Sequence, residues 1–287
     1  MHVHESIQLL HRRKSALIRA LVVSLTFLIL YAWLYKDTPL PDYWNTLAVD
    51  FLNILAALAA ALSGTLLIRQ FQPDEKPHLI WLCFILGWWS WLLGEIASTG
   101  YDLLKITAGD ISVYDLFWTL GYLCFGLALY FQYRHIYGSR KESEPGYFLL
   151  VVALTLLVTL GFTQIALWTG LGQGKSWFAT YLVVFYPVCD VFIGIAALWL
   201  SFLFGRGSWG RPWWALVVFA AADSVDTFQW IGGNKLITDN VANFLNWTSG
   251  VVYAGGYLVA MLGFLSILLY HLSLSRPKSP DAGQIPA

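Results

Sequence analysis

Apolar runs of bilayer-spanning length, broken by short polar connections, set the pattern of this chain. Eight such runs fall at about 15–35, 45–69, 78–103, 113–134, 147–170, 177–204, 212–232 and 241–271. A helix needs roughly 20 apolar residues to cross a hydrocarbon core of about 30 Å. The pattern therefore predicts an all-α, polytopic membrane protein with eight transmembrane helices. The connections carry turn chemistry ("KDTPLPDYW", "FQPDEKPH", "KITAGDIS", "YGSRKESEPG", "GLGQGKS", "GRGSWGRP", "GGNKLITDN"), and none is long enough to house a soluble domain. Residues 1–14 read as a cytoplasmic N-terminal segment and 15–271 as the membrane domain. The polar, Pro-containing stretch 272–287 reads as a disordered cytoplasmic tail.

Orientation follows from the basic residues at the helix ends. One set of ends carries Arg12, Arg13, Lys14, Arg69, Lys76, Arg134, Arg140, Lys141, Arg206, Arg211, Arg276 and Lys278. The other carries only Lys36, Lys105, Lys175 and Lys235. Cytoplasmic loops hold the excess of Lys and Arg, so both termini are expected in the cytoplasm, with the chain in the cell (inner) membrane.

Internal similarity divides the runs into two sets. "DFLNILAAL" from Asp50 aligns with "DVFIGIAAL" from Asp190, and "DLFWTLGYL" from Asp115 aligns with "GVVYAGGYL" from Gly250. Two four-helix halves follow, about 15–140 and 147–271. An even number of spans starts and ends each half on one side, so the repeats are expected to be parallel.

Composition strengthens the membrane reading. Hydrophobic residues make up 58% of the 287, against roughly 45–50% in ordinary soluble domains, and mean hydropathy is +0.61. A formal net charge of zero offers no basic surface for nucleic acid; the bilayer is the expected partner.

The candidate chemistry is a set of acids placed where apolar side chains belong. Glu95, Ser98 or Thr99, and Asp102 form one stripe on the third helix, and Asp223, Asp226, Thr227 and Trp230 form its counterpart on the seventh. A charge at the centre of a spanning helix costs roughly 2.5–3.5 kcal/mol on insertion scales, so such residues face the bundle interior, pair, protonate or meet water. A lone buried acid can serve only to bond across helices, a contact averaging about 0.6 kcal/mol. A set gathered on one side predicts a shared cavity. With Asp115, Asp190, Asn246 and Trp247 completing the set, these groups are expected to converge on the extracytoplasmic side as a ligand-binding site. Trp88, Trp91, Trp118, Trp230 and Trp247 lie near the acids and could supply a cation–π wall.

Other chemistries find no support. His2, His4, His11, His78, His135 and His271 sit at or beyond cytoplasmic helix ends, which argues against intramembrane haem. No Lys lies deep in the last helices to form a retinal Schiff base. HExxH, GxSxG and P-loop patterns are missing, and Cys83, Cys124 and Cys189 show no CxxC spacing. The sequence leans away from an enzyme and names no cofactor, although carboxylates leave a divalent cation open.

The motifs "LGEIASTGYDLL", "YDLFWTLGY", "YPVCDVFIGIAAL", "AADSVDTFQW" and "VYAGGYL" resemble those of the multi-helix sensor regions that precede bacterial GGDEF and EAL signalling domains. The resemblance covers most of 45–265. It implies a sensor, here with no output domain after the eighth run, whose outer cavity biases helix arrangement. A separate cytoplasmic signalling protein and self-association are partners compatible with that expectation. A secondary transporter with midplane acids is the alternative, and a membrane enzyme acting on lipid ranks last.

Overall fold

The computed structural model describes residues 2–107, 109, 111–137, 153–161, 163–164, 177–205, 207–230 and 236–274, and among these it contains no strand. The helices are α1 (His2–Asp37), α2 (Asp42–Ile68), α3 (Lys76–Leu104), α4 (Val113–Tyr137), the helical stretches 153–161 and 163–164 taken together as α5, α6 (Trp177–Leu203), α7 (Trp213–Trp230) and α8 (Asp239–Leu274). A 3₁₀ turn, Ser208–Gly210, leads into α7.

Among the described residues, six helices are long and apolar enough to cross a membrane: Arg13–Asp37, Asp42–Ile68, Lys76–Leu104, Val113–Ile136, Val184–Leu203 and Asp239–Leu272. The protein is therefore a multi-pass, all-α membrane protein. Most of the fifth predicted run lies outside the described residues. α7 stands apart from the six because Asp223, Asp226, Thr227 and Gln229 dilute its apolar content. α1 extends back through the segment read as the cytoplasmic N-terminal segment, to His2. The 272–287 tail lies outside the described residues beyond Leu274.

Packing follows a ring. α2 packs on α3, α3 on α4, α4 more sparsely on α6, α6 on α7, α7 on α8, and α8 returns to α2, while α1 lies outside against α8 and α2. α3 is the most enclosed, with 67% of its apolar window buried against 17% for α1. That enclosure explains its composition. Trp81, Phe84, Trp88 and Trp91 descend one side of α3 and meet Phe125, Trp213, Phe219, Tyr257 and Phe264 from α4, α7 and α8. Stacked and edge-to-face pairs of this kind contribute about 0.5–1.5 kcal/mol each beyond area burial.

Glycines set the distance of closest approach, two of them on α4 and α8. A Cβ on Gly121 would collide with Cδ1 of Trp91, and one on Gly256 would stand 2.5 Å from Cε2 of Phe219. Each large ring of one helix thus lies against bare backbone of the next, the close approach that small residues permit in membrane bundles. Both glycines open a Gly-Tyr-Leu sequence, Gly121 on α4 and Gly256 on α8.

Candidate functional site: an acidic cavity at one end of the bundle

At the end of the bundle opposite the start of α1 and the close of α8, the helices part around a cavity of about 860 Å³. This lies within the roughly 300–1,000 Å³ usual for small-molecule sites. Six carboxyl groups line it: Asp50 from α2, Glu95 from α3, Asp115 from α4, Asp190 from α6, and Asp223 and Asp226 from α7. The ends of α1 and α8 close it with Tyr31, Tyr35, Ser249, Gly250 and Tyr253. Exposed Gly109 and Asp226 mark its rim.

Four of the six acids reach the cavity for a local reason. Glu95 lies four residues beyond Trp91 on α3, and Asp223 four beyond Phe219 on α7. Residues at that spacing stack on one helix face, so the ring seated on glycine below holds each carboxyl above it facing inward. Asp190 follows Pro187, which lies inside α6 and removes one backbone hydrogen bond from the ladder. Asp115 sits in the first turn of α4, where its Oδ2 accepts from the Ser112 amide at 2.8 Å. This is the carboxylate half of a capping box, favoured there by the helix dipole.

Tyrosine hydroxyls hold three of the six. Tyr122 donates to Oδ1 of Asp190, and Tyr186 donates to Oδ1 of Asp115 at 2.8 Å. Tyr253 and Tyr257 both donate to Oε1 of Glu95, at 2.5 and 2.9 Å. These bonds join α4 to α6, α6 to α4 and α8 to α3, so the acids also fasten the ring. Asp190 is only 2% exposed and Glu95 7%, yet among the described residues Oδ2 of Asp190 has no hydrogen-bond partner, nor has Oδ2 of Asp50. No lysine, arginine or histidine among the described residues pairs with any of the six carboxyls. Lys105, at the left-handed C-cap of α3 with φ 54°, instead lies over the Tyr43 ring at 4.6 Å. Lys235 falls outside the described residues.

Of the residues expected to bind ligand, Glu95, Asp115, Asp190, Asp223 and Asp226 line the cavity. Asp102 is exposed beside Asp50 at the edge. Asn246 and Trp247 lie off the cavity and fasten α8 to α1: Tyr35 donates to Asn246 Oδ1 at 3.4 Å, and Trp247 Nε1 donates to the Ala32 carbonyl at 3.3 Å. Lys36 lies over the Trp247 ring at 5.6 Å, a cation–π contact. Among the tryptophans, Trp91 and Trp118 line the cavity, Trp88 is wholly enclosed in the core, and the Trp230 side chain is outside the described residues. The wall is chiefly tyrosine, with Tyr31, Tyr35, Tyr114, Tyr122, Tyr186 and Tyr253 on it.

Two kinds of lining residue escape a reading of stripes. Asp50 is visible in the sequence only as the repeat partner of Asp190, and that equivalence is its signal. The tyrosines carry a fainter one, the i, i+4 pairs Tyr31–Tyr35 and Tyr253–Tyr257.

No protein-family model, curated protein or solved structure matches this chain.

Proposed function

We propose that this protein is a membrane sensor or ligand-binding module whose acidic, aromatic-lined cavity is filled from the extracytoplasmic side. The reading is carried by one observation: six carboxyl groups from five helices share a single cavity without a basic partner among the described residues. Buried carboxylates demand compensation by pairing, protonation or water. A cavity that gathers them is suited to a ligand that brings the missing partner. Because Asp190, Glu95 and Asp115 also fasten neighbouring helices, occupancy would change the contacts that set the ring's arrangement. A ligand shifts such an equilibrium by its differential affinity for the two arrangements, and a separate cytoplasmic protein is the natural reader of the change.

The wider architecture belongs to the same proposal. In it the fifth run and α7 complete eight spans, both termini are cytoplasmic in the inner membrane, and two parallel four-helix repeats build the bundle. Helix adjacency supports the repeats: advancing each number by four turns α2–α3 into α6–α7, α3–α4 into α7–α8, and α4–α6 into α8–α2. The ring-on-glycine contacts Trp91–Gly121 and Phe219–Gly256 obey the same shift, as do Glu95 with Asp223 and Tyr122 with Tyr257.

The test is thermal unfolding of the purified protein in detergent against a panel of cations, amines and lipids. A saturable rise in Tm for one class, lost in Asp223→Asn, is the expected result. A flat response across the panel, alike in wild type and variant, would remove the reading.

One observation favours a second reading, a proton-coupled carrier: a carboxyl as enclosed as Asp190 lies just after a proline within its helix, where intramembrane acids serve proton relays. Proteoliposomes would then show substrate-driven proton flux that Asp190→Asn abolishes. A sensor shows none.

A further inference from the structure

We infer that the cavity's ligand is an organic polyamine, a flexible aliphatic chain with at least two protonated amines; this rests on the reading of the cavity as a binding site. Tyrosine hydroxyls satisfy part of Glu95, Asp115 and Asp190, whereas among the described residues no hydroxyl donor reaches Asp50, Asp223 or Asp226. The acids sort into two poles. Asp190, Asp223 and Asp226 come from the packed pair α6 and α7, and Asp50 and Glu95 from the packed pair α2 and α3.

Size and spacing then decide among cations. Among the described residues no three His, Cys, Asp or Glu side chains come close enough to hold one metal ion. A single bare ion would therefore leave most of the carboxyls uncompensated, and a monoamine could meet only one pole. Two ammonium groups on one chain can meet both, one at Asp223 and Asp226 and the other at Asp50, lining acids that are not fully buried. The intervening methylenes and charges would meet aromatic rings, since Tyr31, Trp91 and Tyr253 also line the cavity.

The experiment uses the full-length protein in nanodiscs at fixed ionic strength, with binding measured calorimetrically for putrescine, spermidine, butylamine, MgCl₂ and CaCl₂. Putrescine or spermidine should bind about tenfold or more tighter than butylamine, the worth of one further charge-assisted pair. Asp50→Asn should erase that advantage, bringing putrescine and spermidine down to the affinity of butylamine. Asp226→Asn, at an exposed position on the rim, should weaken all three amines. Equal affinity for butylamine and putrescine, tighter binding of Mg²⁺ or Ca²⁺, or an unchanged amine ratio in Asp50→Asn would overturn the inference. If no amine binds but Mg²⁺ or Ca²⁺ does, the inference falls and the binding cavity stands. Should neither group of probes bind, the underlying reading falls with it.

Discussion

Tyr122 and Tyr253 do the same job at Asp190 and Glu95, but their loss should not cost the same. Tyr122 is the one hydroxyl on Asp190 among the described residues, and the other oxygen of that carboxyl already lacks a partner. Glu95 accepts from two tyrosines, so Tyr257 remains when Tyr253 is cut back to Phe. Leaving a buried polar group unsatisfied costs roughly 1–3 kcal/mol. Tyr122→Phe should therefore lower stability by about that amount, and Tyr253→Phe by clearly less, measured as the order of Tm values in one detergent. The reverse order would show that the hydroxyl count at each carboxyl does not govern its cost. At this scale sequence is a good guide to the acids and a poor one to their partners. A carboxyl in an apolar run is expensive and so conspicuous, whereas a tyrosine there is cheap and reads equally as core, belt or bond donor.

The element scale turns on rings seated against backbone. Gly121 faces Trp91 with no room for a methyl, while Gly126, just over one turn further along α4, has open space where a Cβ would stand, with nothing within 4 Å. Overpacking costs typically 1–3 kcal/mol, and Ala is favoured over Gly in a helix by up to about 1 kcal/mol. Gly121→Ala should lower Tm and Gly126→Ala should hold or raise it. A matched response would mean that α3 and α4 slide freely past each other. Legibility also ends at this scale. Apolar runs place the helices well, because span length is dictated by the bilayer. The polar pair Asn246 and Trp247 on α8 predicts a cavity-facing stripe, yet it meets Tyr35 and Ala32 of α1. A stripe says that a face is turned inward and cannot say which neighbour it meets, since that choice depends on the packing order of helices distant in sequence.

On the scale of the whole molecule, the acids sit at the end reached by the α1–α2, α3–α4 and α7–α8 connections, and the start of α1 and the close of α8 lie at the other end. The charge asymmetry of the loops supports an acidic end outside the cytoplasm. Central to the proposed function is that these carboxyls line one water-filled hollow open on that side. The most direct measurement replaces Asp226, and separately Asp190, by cysteine in a background with Cys83, Cys124 and Cys189 changed to alanine. Each variant is then treated in intact cells and in inverted vesicles with a membrane-impermeant thiol reagent. Fast labelling of Asp226→Cys and slower labelling of Asp190→Cys are expected in cells, with neither labelled from the cytoplasmic face of sealed vesicles. Labelling from the cytoplasmic face, or none at either position once the unfolded protein is shown to react, would contradict a hollow open to the outside.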